Sequence, residues 1–116
     1  MAGLEPVPED WTRALAVVAH PDDLEYGTAS AIARWTAQGK EVTYVMVTDG
    51  EAGIDGMAPD EAGPLRRDEE RRSAAEVGVR TVEFLGHPDG LVQADLSLRA
   101  DLAAVIFPAV ADVGAA

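Results

Sequence analysis

The chain contains no cysteine. Disulfides and thiolate metal sites are therefore excluded, and any transition metal must be held by histidine and carboxylate. Basic residues are scarce: 9 Lys plus Arg stand against 21 Asp plus Glu, a formal net charge of -12, and Lys40 is the only lysine. A nucleic-acid partner needs a basic surface to neutralise phosphate, so none is expected. Aromatic residues make up only 5% of the chain, which leaves the core to aliphatic packing. No basic leader with an apolar run opens the sequence, and no stretch approaches bilayer-spanning length. A cytoplasmic protein with no membrane partner is the expectation.

What remains is ordinary globular material: 116 residues, 47% hydrophobic and 26% charged, enough for one domain over 1–116 with a single core. Leu15-Ala16-Val17-Val18 has the length and branching of a buried strand, within a segment running from Trp11 to about Ala19. Thr28 to Gln38 carries apolar residues at helical spacing, and Gly39 is a natural stop. Glu41 to Val47 is a nearly continuous apolar run, as in a parallel strand covered on both faces. The stretch Ala52–Pro64, rich in Gly and Pro and without periodicity, is expected to be a loop over the site. A charged helix over Leu65–Val77, a strand over Val79–Leu85 and a helix over Asp95–Ile106, capped by Asp95, follow. Phe107-Pro108 should end that helix, and Val110–Val113 should begin a fourth strand. Strands alternating with helices predict an α/β fold with a parallel sheet.

Chemistry concentrates where the strands end. The first runs into Ala19-His20-Pro21-Asp22-Asp23-Leu24-Glu25-Tyr26-Gly27, and loops at the carboxyl ends of parallel strands form the ligand crevice of open sheets. His20 and Asp23, three apart on one tight loop, offer a nitrogen and an oxygen that can converge on zinc or a related divalent ion. Asp22 is left free beside them, placed to take a proton from water activated by the metal. The same four residues could equally form a solvated turn. The second strand ends in Thr48-Asp49-Gly50-Glu51 and the third in Gly86-His87-Pro88-Asp89-Gly90, whose imidazole is a candidate third ligand. Arg66 falls in the first turn of the expected charged helix, where the dipole disfavours a cation, so it should have another partner.

The string Ala19 to Gly27 resembles the signature of the LmbE-like, or PIG-L, family of zinc-dependent deacetylases acting on N-acetylglucosamine derivatives. Val47–Gly53, Leu65-Arg66 with Glu69 leading to Ala74–Val79, and Phe84–Gly90 look similar in order and spacing. The resemblance implies a Rossmann-like three-layer α/β/α fold, His20 and Asp23 as ligands of Zn2+, and Asp22 as general base. It implies Arg66, or the adjacent Arg67, and Asp89 as residues orienting an N-acetylated amino-sugar conjugate, while Asp49 or Glu51 at the end of the second strand would line the same crevice. In the family the third ligand is a histidine well downstream, yet no histidine follows His87. The sheet is therefore expected to be incomplete at its C-terminus, to favour homo-oligomers through an open edge, and to leave a catalytically incomplete fragment as the alternative to a working hydrolase. A receiver-like signalling module is the reading from another class. It fails on the missing aspartate at the end of the third strand and on the single Lys40.

Overall fold

The computed structural model describes residues 3–115. The apolar runs at 13–18, 41–46 and 81–84 form β1 (Arg13–Val18), β2 (Glu41–Met46) and β3 (Thr81–Phe84), with α1 (Ala29–Ala37) and α2 (Pro59–Glu76) as crossovers and α3 (Leu96–Ala115) last. The three strands are parallel in the order β1-β2-β3, with Val17 opposite Val45 and Tyr44 opposite Val82. Parallel neighbours need a crossover between them, and both crossovers here are helical.

Strand alternation sorts the side chains into two faces. Ala14, Ala16 and Val18 join Val42, Tyr44, Met46, Val82 and Phe84 against Ile32 and Trp35 of α1 and Ala74 of α2. Val45 and Met46 are completely buried, which makes β2 the centre of the molecule. On the opposite face Leu15, Val17 and Thr43 look towards Val105 and Ile106 of α3 across an open groove. The result is the expected three-layer α/β/α arrangement, thinly covered on the α3 side. Leu96 and Phe107 of α3 are 81% and 68% exposed, and the radius of gyration is 15.6 Å where a close-packed chain of this size reaches about 13 Å. β1 pairs with β2 alone, so among the described residues its other edge is open.

Two expectations fail at prolines. The segment 59–64 is not loop but the opening of α2. Pro59 takes the first helical position, where its missing N–H is no loss, and Asp60 and Glu61 complement the dipole in the first turn. Pro64 sits inside that helix without ending it. Pro108 likewise lies inside α3, and the expected fourth strand at Val110–Val113 is helix instead. The alanines that flank those valines favour helix over strand once a helix has been started. Its start matches expectation: the Asp95 carboxylate accepts the Leu98 N–H at 2.9 Å.

Candidate functional site

All three strand-end loops meet at one end of the sheet because the strand ladder continues past the strands. Val47 N–H donates to the Val18 carbonyl at 2.9 Å, Thr48 N–H to that of Ala19 at 2.9 Å, and His87 N–H to that of Val47 at 3.0 Å. Buried Thr48 adds its hydroxyl to the Ala19 carbonyl at 3.0 Å, pinning the base of the His20 loop to the loop after β2.

His20 and Asp23 converge. Nδ1 of His20 lies 2.9 Å from Oδ1 of Asp23, and the other carboxylate oxygen accepts the His20 backbone N–H at 3.1 Å. Donors to one tetrahedral zinc at about 2.0–2.1 Å sit about 3.3 Å apart, so a few tenths of an ångström of widening opens the pair to an ion. The donor set and the spacing fit two of a catalytic zinc's three protein ligands. Between them stands Asp22, 56% exposed at its side chain and held at φ +82°. It is the one non-glycine with positive φ among the described residues. That backbone costs about 1 kcal/mol, and strain of this kind gathers at functional sites.

Arg66 comes from α2, and since that helix begins at Pro59 it lies beyond the first turn. The dipole argument for it fails, but the expected partner exists. Its Nη2 donates to the Pro21 carbonyl at 3.2 Å and lies 3.4 Å from Asp22 Oδ2. Gly50, at φ +67°, makes room: a Cβ there would fall 2.9 Å from Arg66 Nε. Replacing Gly50 with Ala is therefore expected to destabilise the protein by roughly 1–3 kcal/mol, through both backbone strain and displacement of Arg66. Urea unfolding measures this; an unchanged midpoint would show that the glycine is dispensable.

Asp49 and Asp89 sit on the same rim but are engaged with protein. Asp49 Oδ1 lies 2.8 Å from Arg67 Nε, a charge contact whose N–H does not point along the line. Asp89 accepts the Ala52 N–H at 2.9 Å, while Glu51 accepts the Asp89 N–H at 2.9 Å. This reciprocal pair staples the loop after β2 to the loop after β3. His87 does not join the His20 pair: its Nε2 lies 2.6 Å from Asp101 of α3. Among the described residues, no third imidazole or carboxylate comes within 4.8 Å of both His20 and Asp23 ligand atoms.

Sequence reasoning missed what lies beneath the loop. Glu70 of α2 is 2% exposed, and its carboxylate gathers with those of Glu25 and Asp22 within 4.8 Å. Ser73, one turn further along α2, donates to Glu25 Oε1 at 2.9 Å. Glu25 Oε2 and Glu70 Oε1 are buried without a donor. Burial first, then a hydrogen bond to Glu25 and the Glu25 charge, push the Glu70 carboxyl up to about 8, against a hydrogen bond from the Asp22 backbone. In the sequence Glu70 is one more charge on a solvated helix face. The available signal was Glu25, whose place within the motif demands a partner that only another element can provide.

A family profile described as PIG-L, GlcNAc-PI de-N-acetylase, matches residues 15–113. The chain belongs to the PIG-L family. This PIG-L chain is 33% identical over 99 residues to diacetylchitobiose deacetylase of Thermococcus kodakarensis, covering 84% of itself and 37% of that protein. It is 37% identical over 91 residues to 1D-myo-inositol 2-acetamido-2-deoxy-alpha-D-glucopyranoside deacetylase of Streptomyces scabiei, covering 71% of itself and 28% of that protein. Among solved structures it resembles N,N'-diacetylchitobiose deacetylase from Pyrococcus horikoshii with a TM-score of 0.79 and 31% identity, over 84% of this chain and 37% of that one. GalB, the 4-carboxy-2-hydroxymuconate hydratase of Pseudomonas putida, follows at 0.73 and 29%, over 82% and 42%. A hydratase and a deacetylase thus share this fold, so reaction type rests on site chemistry. The chain spans about a third of the length of the relatives it matches. No helix among the described residues is long and apolar enough to cross a membrane.

Proposed function

We propose that this PIG-L chain is a cytoplasmic, zinc-dependent hydrolase that removes the acetyl group from an N-acetylglucosamine-type conjugate. The observation that carries the reading is the convergence of His20 and Asp23 at 2.9 Å, with Asp22 between them in sequence, strained in its backbone and 56% exposed at its side chain. Zinc held by His20 Nδ1 and Asp23 Oδ1 would supply Lewis-acid polarisation of the acetamide carbonyl. Asp22 takes a proton from the attacking water as the new C–O bond forms, and returns it to the amine nitrogen as the C–N bond breaks. Acetate and a free amine leave. Arg66 sets a positive charge 3.4 Å from the Asp22 carboxylate. Asp49 and Asp89 brace the rim on which the sugar would sit; Asp49 Oδ1 has no hydrogen-bond donor, and Asp89 can exchange the Ala52 N–H for a sugar hydroxyl.

A second reading is favoured by one observation, the absence of a third ligand among the described residues. On that reading the chain is a catalytically incomplete portion that binds metal and substrate, or pairs with another subunit through the open β1 edge. Two protein ligands hold zinc loosely, so affinity is expected to be roughly micromolar or weaker, and His20→Ala should lower it at least a further tenfold. Tight one-to-one uptake by a monomer, read by a competing chromophoric chelator, would contradict this.

Acetate release from an N-acetylglucosaminyl glycoside in excess zinc, with and without added imidazole as a surrogate third nitrogen, decides between the readings. Release above the zinc blank supports the hydrolase. Zinc uptake at His20 without release supports the incomplete portion, and neither uptake nor release sinks both.

A further inference from the structure

We propose that Asp22, Glu25 and Glu70 form a second cation site, made of oxygen ligands alone and suited to a hard divalent ion such as Mn2+, Mg2+ or Ca2+. The three residues each offer a carboxylate oxygen within 4.8 Å of the other two. Oxygen ligands about 2.2–2.4 Å from such an ion lie about 3–5 Å apart, so the cluster needs little adjustment to close on one. An all-carboxylate set selects a hard ion over zinc, which the imidazole of His20 favours.

A cluster of acids alone would be an ordinary acidic surface. Here Glu70 is only 2% exposed, and its Oε1 has no donor. Glu25 Oε2 is buried without a donor as well. The contacts that do exist are the Ser73 hydroxyl on the other Glu25 oxygen, Arg66 at 3.4 Å from Asp22, the Asp22 amide on Glu70, and a Glu25–Glu70 carboxyl contact that is a hydrogen bond only with a proton between them. With both acids ionised, two buried carboxylate oxygens lack a donor, which is costly, and one cation between them supplies both at once. The ligands come from different elements, Asp22 and Glu25 from the loop after β1 and Glu70 from the middle of α2, so a bound ion would cross-link the loop to the helix. Asp22 is shared with the chemistry above. On the deacetylase reading, a cation here draws the base away from its proton and so restrains turnover.

The competing account of the same geometry is a single proton shared between Glu25 and Glu70. Mn2+ titration of the full chain followed by electron paramagnetic resonance separates the two, using wild type, Glu70→Gln, Glu25→Gln and His20→Ala, with circular dichroism confirming the fold. The expected result is Mn2+ binding that survives His20→Ala and weakens at least tenfold in each glutamine variant. The amide introduced by Glu70→Gln reproduces the shape of a protonated Glu70, and Glu25 is only half-buried, so both substitutions are conservative and at least one is expected to retain the fold. Absence of Mn2+ binding, or binding unchanged by both glutamine substitutions, overturns the proposal in favour of the shared proton. Binding lost in His20→Ala overturns it too, by placing the ion at His20 and Asp23, and leaves the deacetylase reading intact.

Discussion

Asp22→Asn is expected to lower the rate of acetate release by about 10²–10⁴-fold while leaving zinc affinity within about twofold of wild type. The magnitude is that of a general base in proton transfer, and the selectivity follows from where the side chain sits. His20 Nδ1 and Asp23 Oδ1 approach one another without Asp22, whose side chain is 56% exposed. Asparagine tolerates that backbone almost as well as aspartate, so the loop should persist. It cannot accept the proton. The measurement is paired: acetate by mass spectrometry at saturating zinc, and metal uptake by chelator competition. A variant with wild-type turnover would remove Asp22 from the chemistry. One that lost its metal as well would make Asp22 a ligand and leave the base unassigned.

The contrast with Asp23→Asn sharpens the test. That change removes a charged donor and the acceptor of the His20 amide at 3.1 Å, so metal affinity and loop shape should fail together. Neighbouring carboxylates with opposite signatures, one losing rate and the other losing metal, are what the geometry demands of the loop.

The strands and this loop were legible because their signals are local. Apolar runs of strand length name the sheet, and His20 and Asp23, which meet at 2.9 Å, lie three positions apart in the loop leaving β1. The helix ends were less legible because proline means opposite things in different places. Pro59 opens α2, while Pro64 and Pro108, which look like stops, are absorbed inside helices. Asp49, Asp89 and Arg66 all lie on the rim, yet their partners could not be read. Whether Asp89 points at a sugar or at the Ala52 amide depends on two loops 37 residues apart. Glu70 was invisible for the same reason: on a helix dense in charge, nothing local distinguishes the acid that α2 turns under the His20 loop from those it turns to water.

Glu70 also makes the largest stability prediction. It titrates at about 8 in the folded protein against an ordinary 4.5, because burial and then the hydrogen bond and charge of Glu25 all penalise its ionised form. Tyr44, pushed up to about 12 by burial and by Glu25 and Glu70, reports the same negative field. Between pH 4.5 and about 8 the folded state holds a proton that the unfolded chain has released, so stability falls as pH rises through that window and levels off above it. Each unit is worth about 1.4 kcal/mol, so the whole window amounts to a few kcal/mol. Glu70→Gln should therefore match wild type near pH 5 and exceed it by a few kcal/mol at about pH 9, with chelator present so that no cation takes the proton's place. Urea midpoints of both proteins across that range measure the difference, from which the titrations common to both cancel. A constant gap from the acid end to the alkaline end would mean that Glu70 ionises like a surface acid, and that the carboxylates beneath the loop are not crowded together at all.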